Sequence, residues 1–576
     1  MLLWAALLVV LLSVLCFFTR IYWRLKYPNF GNDTWSHLGV ARAIRKNGYR
    51  VPATAGIHFT DGPWDYPPFL PYLIAAFSEK RALGASKYIP AVFDTLSCAA
   101  AGLFLYFLPS MFSRWAVGDT FAGVPPELLL PALGMLVWTF TPMTAVDTFQ
   151  HLSPRPIGNF FMVLTMMLMF LYSWDPRWPY LALMLVPVTL IYISHKFTLQ
   201  ALTILNIGVA ILLRQPWFLV VEALGFVAAV AVTGGYYLRV FRGHLAFMNY
   251  YRVKGAKKYP GKYGLHRERM MKILKLDLTG NPWIYFLVPV LWLGGWPLEL
   301  LTVMALTMIA AYLLVSLNPL LFLGEPERYF ETATFPLAGL IPLFLAGSFL
   351  GPWRAFMWAL FLAFLALGAF RIFREMRGRE EQMSDKGKVM EHYVDPAWLE
   401  ACEFMKRQPG DRIITVPEYA QWATHYFTGK LVQGTESARE YGRHMDEFPP
   451  TPENIGGLVK KHGVDIVVVD CDGNINVLVE HWLEGGVNCM FPLEINSGTD
   501  PVALRERFGQ RVLLAGGVNK IQIAKGRKEI EQELERIRKT VESGGYIPHI
   551  DHRCPPDVSY DNYLHYLKVK KHLFGM

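Results

Sequence analysis

Cysteine is scarce and unpatterned: there are six, at positions 16, 98, 402, 471, 489 and 554, and no two form a CxxC pair. No disulfide framework is implied. The chain also lacks internal repeats and low-complexity tracts, which leaves no repeat array to read. A cleavable signal is missing as well. The first apolar stretch, Leu2–Phe18, has no basic region before it and is followed by Arg20 and Arg24 rather than by small residues, so it reads as an uncleaved first span. The most informative shortage is of charge: ionisable residues are thin over long stretches of the first 370 positions and gather in a few connecting loops.

What fills those stretches is apolar residues in runs long enough to cross a bilayer. The clearest are Ile89–Leu108, Leu128–Val146, Ile157–Tyr172, Trp217–Leu238, Leu298–Leu317, Phe330–Leu350 and Trp353–Phe370. With the remaining runs and a short candidate at Phe69–Phe77, about twelve crossings are expected at roughly 20 residues per spanning helix. The bilayer is then the first partner, and a multi-pass protein of the cell membrane is the expectation. After Phe370 the composition turns charged and mixed, so two modules are expected. The formal net charge of +9 does not point to nucleic acid, because the basic residues sit beside spans. The loop Arg239–Lys275 and the patch Arg371, Arg374, Arg377 and Arg379 read as cytoplasmic by the positive-inside rule, and the C-terminal domain with them.

An ionisable group at a membrane costs several kcal/mol unless it is paired or faces a polar cavity. Three clusters qualify. Gly31-Asn32-Asp33-Thr34-Trp35-Ser36-His37 follows the first span, with Asp33 and His37 four apart on one face if a helix begins at Asp33. The plainer reading is that Asp33 caps that helix and His37 packs. Asp147 and His151 repeat the spacing, with Ser153 and Arg155 beside them; two such pairs could ligate a divalent cation, Mg or Mn, and Arg155 a phosphate. The third set is His195-Lys196 with Glu325, Glu327, Arg328 and Tyr329, each of which could also be an interfacial anchor.

The first span, the loop Asn32-Asp33-Thr34-Trp35-Ser36-His37-Leu38, Tyr66-Pro67-Pro68, the Asp147–Arg155 loop and Glu327-Arg328-Tyr329 together resemble the polytopic glycosyltransferases of the GT-C class over roughly positions 1–435. The resemblance implies a sugar donor carried on a polyprenyl phosphate, an active site at the extracytoplasmic surface, and Asp33 as catalytic base or metal ligand. Arg155, Lys196, Arg328 and Tyr329 are then the candidate substrate-binding residues, and Asp147, His151 and His37 the candidate metal ligands. Many basic residues in the loop Arg20–Tyr66 depart from what an extracytoplasmic loop would carry.

From Asp395 helix- and strand-like segments alternate, as parallel βα units do: Pro396–Arg407 helical, Arg412–Pro417 extended, Glu418–Phe427 helical, with further strands at Val464–Val469, Met490–Ile495, Val512–Ala515 and Gly545–Ile550. Helix Lys528–Val541 has Ile530, Leu534, Ile537 and Val541 on one side. Val468-Val469-Asp470-Cys471-Asp472-Gly473-Asn474, Trp482-Leu483-Glu484-Gly485-Gly486-Val487, Gly516-Gly517-Val518-Asn519-Lys520 and Gly544-Gly545-Tyr546-Ile547-Pro548-His549-Ile550-Asp551-His552 resemble the C-terminal half of the uroporphyrinogen decarboxylase superfamily. That implies half of a TIM barrel, with Asp470, Asp472 and His552 as candidate ligands for a metal such as zinc, or as loop caps of an inactive remnant.

The expected architecture is thus a polytopic α-helical, GT-C-like membrane domain over 1–372, a linker and small α/β region over 373–460, and a half-barrel α/β domain over 461–576. The expected activity is transfer of a sugar from a polyprenyl-phosphate donor to an acceptor the sequence does not name, with a homodimer formed through the half barrel. Two alternatives stand beside it: a membrane-tethered decarboxylase or cobalamin-dependent methyltransferase, and a non-enzymatic, transporter-like protein.

Overall fold

The computed structural model describes residues 2–27, 31–60, 62–111, 123–150, 152–255, 280–293, 299–316, 318–384, 396–408, 410–416, 420–439, 459, 461, 463, 464 and 466–575. The chain divides into two compact units that do not follow it linearly. Unit 1 comprises Met1–Pro28, Ile44–Val51 and Asp65–Gln382; unit 2 comprises Asn29–Ala43, Pro52–Trp64 and Met383–Met576. The loop after the first span therefore folds with the C-terminal tail.

The helices, in chain order, are α1 (Leu2–Lys26), α2 (Asn32–Lys46), α3 (Phe69–Ala75), α4 (Glu79–Ser86), α5 (Ile89–Met111), α6 (Pro126–Thr139), α7 (Pro142–Gln150), α8 (Arg155–Trp174), α9 (Trp178–Ser194), α10 (Lys196–Leu213), α11 (Trp217–Val232) and α12 (Tyr236–Tyr250). After them come α13 (Leu287–Leu293), α14 (Glu299–Val315), α15 (Glu327–Thr332), α16 (Thr334–Ala346), α17 (Arg354–Ser384), α18 (Pro396–Arg407), α19 (Gln421–Thr428), α20 (Val479–Glu484), α21 (Pro501–Phe508), α22 (Lys520–Lys525), α23 (Arg527–Glu542) and α24 (Tyr560–Phe574).

Unit 1 is a helical membrane module. Among the described residues six helical stretches are long and apolar enough to span: Leu2–Lys26, Ile89–Pro109, Arg155–Trp174, Lys196–Leu213, Glu327–Ala346 and Leu350–Glu381. Five shorter apolar helices accompany them. Phe69–Phe77, counted from the sequence as a short crossing, holds only the seven-residue α3. Two buried ionisable residues inside these helices show the partners that burial away from water calls for. Arg20 of α1 reaches Asp94 of α5 at 2.6 Å and donates to the Thr139 carbonyl ending α6 at 2.8 Å. Glu222 of α11 accepts from Asn206 of α10 at 2.7 Å and from Thr203.

Unit 2 is built on a six-stranded, wholly parallel sheet: β1 (Arg412–Val416), β2 (Leu431–Val432), β3 (Ile466–Asp470), β4 (Cys489–Leu493), β5 (Leu513–Val518) and β6 (Tyr546–Ile550), in the order β2-β1-β3-β4-β5-β6. All five residues of β4 and of β6 are buried, so helices cover both faces. The amphipathic α23 is one of them, burying Ile530, Leu534 and Ile537. The architecture differs from a half barrel that ends at β3. The edge that such a remnant would leave open is paired: Ile413 of β1 lies beside Ile466, and β2 follows β1. The strand order reverses between β1 and β3, as in open doubly wound sheets. Strands within 412–432, read from the sequence as part of a linker and small α/β region, belong to this same sheet. Beyond β2 the sheet gains one more piece from the other end of the chain, where Phe59 N donates to the Val432 carbonyl and Val432 N to the Ile57 carbonyl, both at 3.0 Å. Pairing of this kind shields a strand edge from other chains.

Candidate functional site

In unit 1 the sequence-expected cations Arg155, Lys196 and Arg328 converge at one end of the helical bundle. Arg155 opens α8 behind Pro154 and ahead of Pro156, whose fixed φ suits a first helical turn. Gly158, one turn on, lies so close to the start of α10 that a Cβ there would stand 2.6 Å from Thr198 Oγ1. Glycine is what lets Arg155 approach the His195-Lys196 corner. There His195 caps α10, its Nδ1 accepting from Thr198 N at 3.3 Å. The Arg328 guanidinium lies 4.4 Å from the Phe197 ring centroid. Gly324, at φ +109°, packs directly against that ring.

The cations are not bare. Arg155 Nε meets Glu331 at 2.5 Å, and Glu331 also accepts from Asn159 at 2.8 Å. Arg328 pairs with the exposed Glu325 at 2.8 Å. Lys196 Nζ stands 4.9 Å over the Tyr66 ring, whose backbone carbonyl accepts from Tyr236 at 2.8 Å. Close by, Asp65 is fully buried against Gly243 of α12, where any Cβ would collide with its carboxylate. The next residue, His244, is buried, and neither ring nitrogen meets a hydrogen-bond partner among the described residues. Burial, with Lys196 adding to it, pushes this imidazole down to about 3, so it is neutral at any ordinary pH. Tyr329 is buried and its hydroxyl donates to the Leu323 carbonyl at 3.0 Å, which fixes the loop leading into α15.

In unit 2, Asp33 is exposed in the first turn of α2, where the helix dipole favours a carboxylate. His37, one turn further, is buried. The rest of α2 is docked on the tail. Trp35 is fully buried between Tyr426 and Phe427, with ring centroids 5.3 and 5.0 Å away. Arg42 donates to the Tyr426 carbonyl at 2.8 Å and stacks over its ring at 4.5 Å. Ser36 donates to Glu436 at 2.9 Å. The same Glu436 oxygen accepts from the Trp422 indole at 2.7 Å and lies 3.5 Å from His58 Nε2. Burial pushes the Glu436 carboxyl up, but the bonds from His58, Trp422 and Ser36 outweigh it and hold the group below the ordinary glutamate range.

At the C-terminal ends of the strands, Asp472 pairs with His552 at 3.3 Å, and His552 adopts φ +65°. Asp470 ends β3. Asp551 is fully buried and ties three loops together, accepting from Lys520 N at 2.8 Å and Ile495 N at 3.1 Å. Among the described residues no three of His, Cys, Asp and Glu come together as a metal centre requires. Of the tail set, Asp472 and His552 are in contact, and Asp470 ends β3 just before Asp472. Asp147 lies in α7, but its side chain falls outside the described residues, as does all of His151.

Sequence reasoning missed Glu331, Asp65, His244, Glu436 and His58. Glu331 could have been found, since it falls inside the apolar stretch Phe330–Leu350, where any ionisable residue invites a question.

A helical membrane module with cations collected at one end, joined to a parallel α/β unit, is the class that fold and geometry define. No family model matches the chain and no curated protein sequence matches it, so the likeness of the tail to uroporphyrinogen decarboxylases has no family match behind it. Solved structures do. The Archaeoglobus fulgidus oligosaccharyltransferase, in a crystal structure with Zn and sulfate, is similar at TM-score 0.53 and 12% identity, over 83% of this chain and 69% of that one. Its complex with an inhibitory peptide and a dolichol-phosphate gives 0.51 and 10%, over 81% and 69%. ArnT from Cupriavidus metallidurans in the apo state gives 0.49 and 13%, over 80% and 91%. At these identities the likeness to the oligosaccharyltransferase is one of fold.

Proposed function

We propose that the protein is an integral membrane glycosyltransferase that moves a sugar from a polyprenyl-phosphate carrier to an acceptor. The observation that carries the reading is the gathering of Arg155, Lys196 and Arg328 at one end of the bundle. Breaking a glycosyl–phosphate bond leaves negative charge on the departing phosphate, and preorganised guanidinium and ammonium groups at a membrane surface stabilise that charge. Asp33 is assigned as the base that takes the acceptor's proton. The fold neighbour's complex with a dolichol-phosphate supports a lipid-phosphate donor of the same kind. Asp147 and His151 keep their assignment as ligands for a divalent cation, Mg or Mn, which would supply further charge for the leaving phosphate.

The fold also bears on sidedness. Asn29–Ala43 and the tail belong to one compact unit, which supports a reading that puts both on one face of the membrane. An even number of crossings must then separate Asp65 from Gln382. Among the described residues, the six long and five shorter apolar helices would meet that condition if each crosses, with α1 as the first crossing and ten after it. On this reading the chain crosses eleven times where the sequence suggests about twelve, and the tail would share the extracytoplasmic face with Asp33. The basic patch Arg371–Arg379 would lie on that face too, against the positive-inside expectation, while most of Arg239–Lys275 falls outside the described residues.

The test uses full-length protein in lipid nanodiscs, short-chain polyprenyl-phosphate hexoses with a radiolabelled sugar, and Asn-Val-Thr peptides as first acceptors. Label is expected to leave the lipid at a rate that Arg155→Ala and Asp33→Asn each reduce by at least ~10²-fold. Undiminished release in both variants would sink the reading.

A further inference from the structure

We infer that Glu436 is a positioning residue for transfer: its carboxylate sets the helix that carries Asp33, which makes the tail part of the catalytic machinery. The inference rests on the reading of Asp33 above. Asp33 lies in the first turn of α2, and Ser36 follows within that turn. The Ser36 hydroxyl donates to Glu436 Oε1 at 2.9 Å, a bond between residues 400 positions apart. Glu436 is itself fixed from two other directions, by the Trp422 indole at 2.7 Å and by His58 Nε2 at 3.5 Å.

Neither of those partners is loose. His58 Nδ1 lies 2.5 Å from the Gln433 carbonyl, in the segment that pairs with β2. Gln433 in turn bonds both faces of the Thr415 peptide in β1, its Oε1 accepting from Thr415 N at 3.0 Å and its Nε2 donating to Thr415 O at 2.6 Å. A chain of polar contacts therefore runs from the sheet through Gln433 and His58, which stands 3.5 Å from Glu436, to Ser36 of α2. The aromatic clasp on Trp35 holds the helix onto the tail, but rings in tilted contact restrain rotation about the helix axis poorly. A charge-assisted hydrogen bond within the first turn defines that rotation, and with it the direction in which Asp33 presents its carboxylate.

Full-length Glu436→Gln, Glu436→Asp, Ser36→Ala and Asp33→Asn in nanodiscs are assayed with the same labelled hexose lipids and peptides, alongside hydrogen exchange of the amides of residues 33–39. Glu436→Gln is expected to lower kcat by roughly 10²-fold with KM for the lipid within about twofold, and Ser36→Ala by roughly tenfold. Exchange at 33–39 rises in both, and Glu436→Asp regains part of kcat. In an Asp33→Asn background, Glu436→Gln causes no further loss. Full kcat in Glu436→Gln beside a dead Asp33→Asn overturns the positioning role alone, as does a multiplicative loss in the double variant. Full turnover in Asp33→Asn instead overturns the functional reading on which this one stands.

Discussion

Arg155 and Glu331 form an ion pair at 2.5 Å in which the side chains are only 9% and 5% exposed. Such a pair gains little over an apolar pair of the same shape, because both charges leave water, yet breaking it strands one charge in a low-dielectric setting. Glu331→Gln or Arg155→Gln alone is therefore expected to destabilise unit 1 by about 3–5 kcal/mol. The double variant Arg155→Met, Glu331→Leu should recover most of that while abolishing sugar release. Detergent-resistant thermal melts monitored beside the hexose assay separate the two effects. Equal stability of single and double variants would contradict the pairing.

Asp551 gives a pH signature. Burial, outweighing the bonds from Lys520 and Ile495, raises its carboxyl from 3.8 to about 6. Its folded value lies above its unfolded one, so the native state binds the extra proton, and the stabilisation is complete below pH 4 and lost as pH rises towards 6. Wild type minus Asp551→Asn stability should accordingly fall by up to ~3 kcal/mol between pH 4 and pH 7. A difference that stays flat over that range would show the carboxyl is ionised throughout.

Glu436 works in the opposite sense. Its folded value is depressed, so the stability that it lends the α2 docking is present above the ordinary glutamate range and lost as pH falls below it. Exchange at residues 33–39 should accelerate in acid in wild type and be pH-independent, beyond the intrinsic rate, in Glu436→Gln. Parallel profiles for the two proteins would refute this.

Gly434 stands at φ +115°, and a Cβ there would lie 2.7 Å from His58 Nδ1 and 2.8 Å from Gln421 Oε1. Both the left-handed backbone and the space exclude a side chain. Gly434→Ala is expected to cost about 2 kcal/mol or more and to weaken the Glu436–His58 contact. Denaturant melts of the full chain, with Trp422 fluorescence as the local probe, measure it.

Much of the architecture could be read from residues alone. The alternation after Asp395 marked β1, β3, β4, β5, β6 and α23 to within a few positions, because apolar strands between polar helices leave a period that survives without context. The two-residue β2 and the pairing at 57–59 left no such trace, being too short to carry a period. Arg155, Lys196 and Arg328 were legible as cations at span ends; Glu331, the carboxylate partner of Arg155, was not sought because it sits within an apolar run. Glu436 had no local signal at all, since its meaning depends on Ser36 and His58 hundreds of positions earlier. The strand order could not be had from alternation either, because β1 joining β3 depends on which edge needs a neighbour.

The strand-edge pairing of residues 57–59 with β2 imposes a timetable on biosynthesis. His58 and Gln433 lie 375 residues apart, which a ribosome working at about 5–20 residues per second covers in on the order of tens of seconds. During that interval the loop bearing Asp33 has nothing to dock against, and every intervening helix must be made before its partner strand arrives. The acid-bearing loop is thus among the first segments delivered to its face of the bilayer and among the last to find its native place, so nascent chains stalled before Val432 should expose it to proteases that cannot reach it in the finished protein.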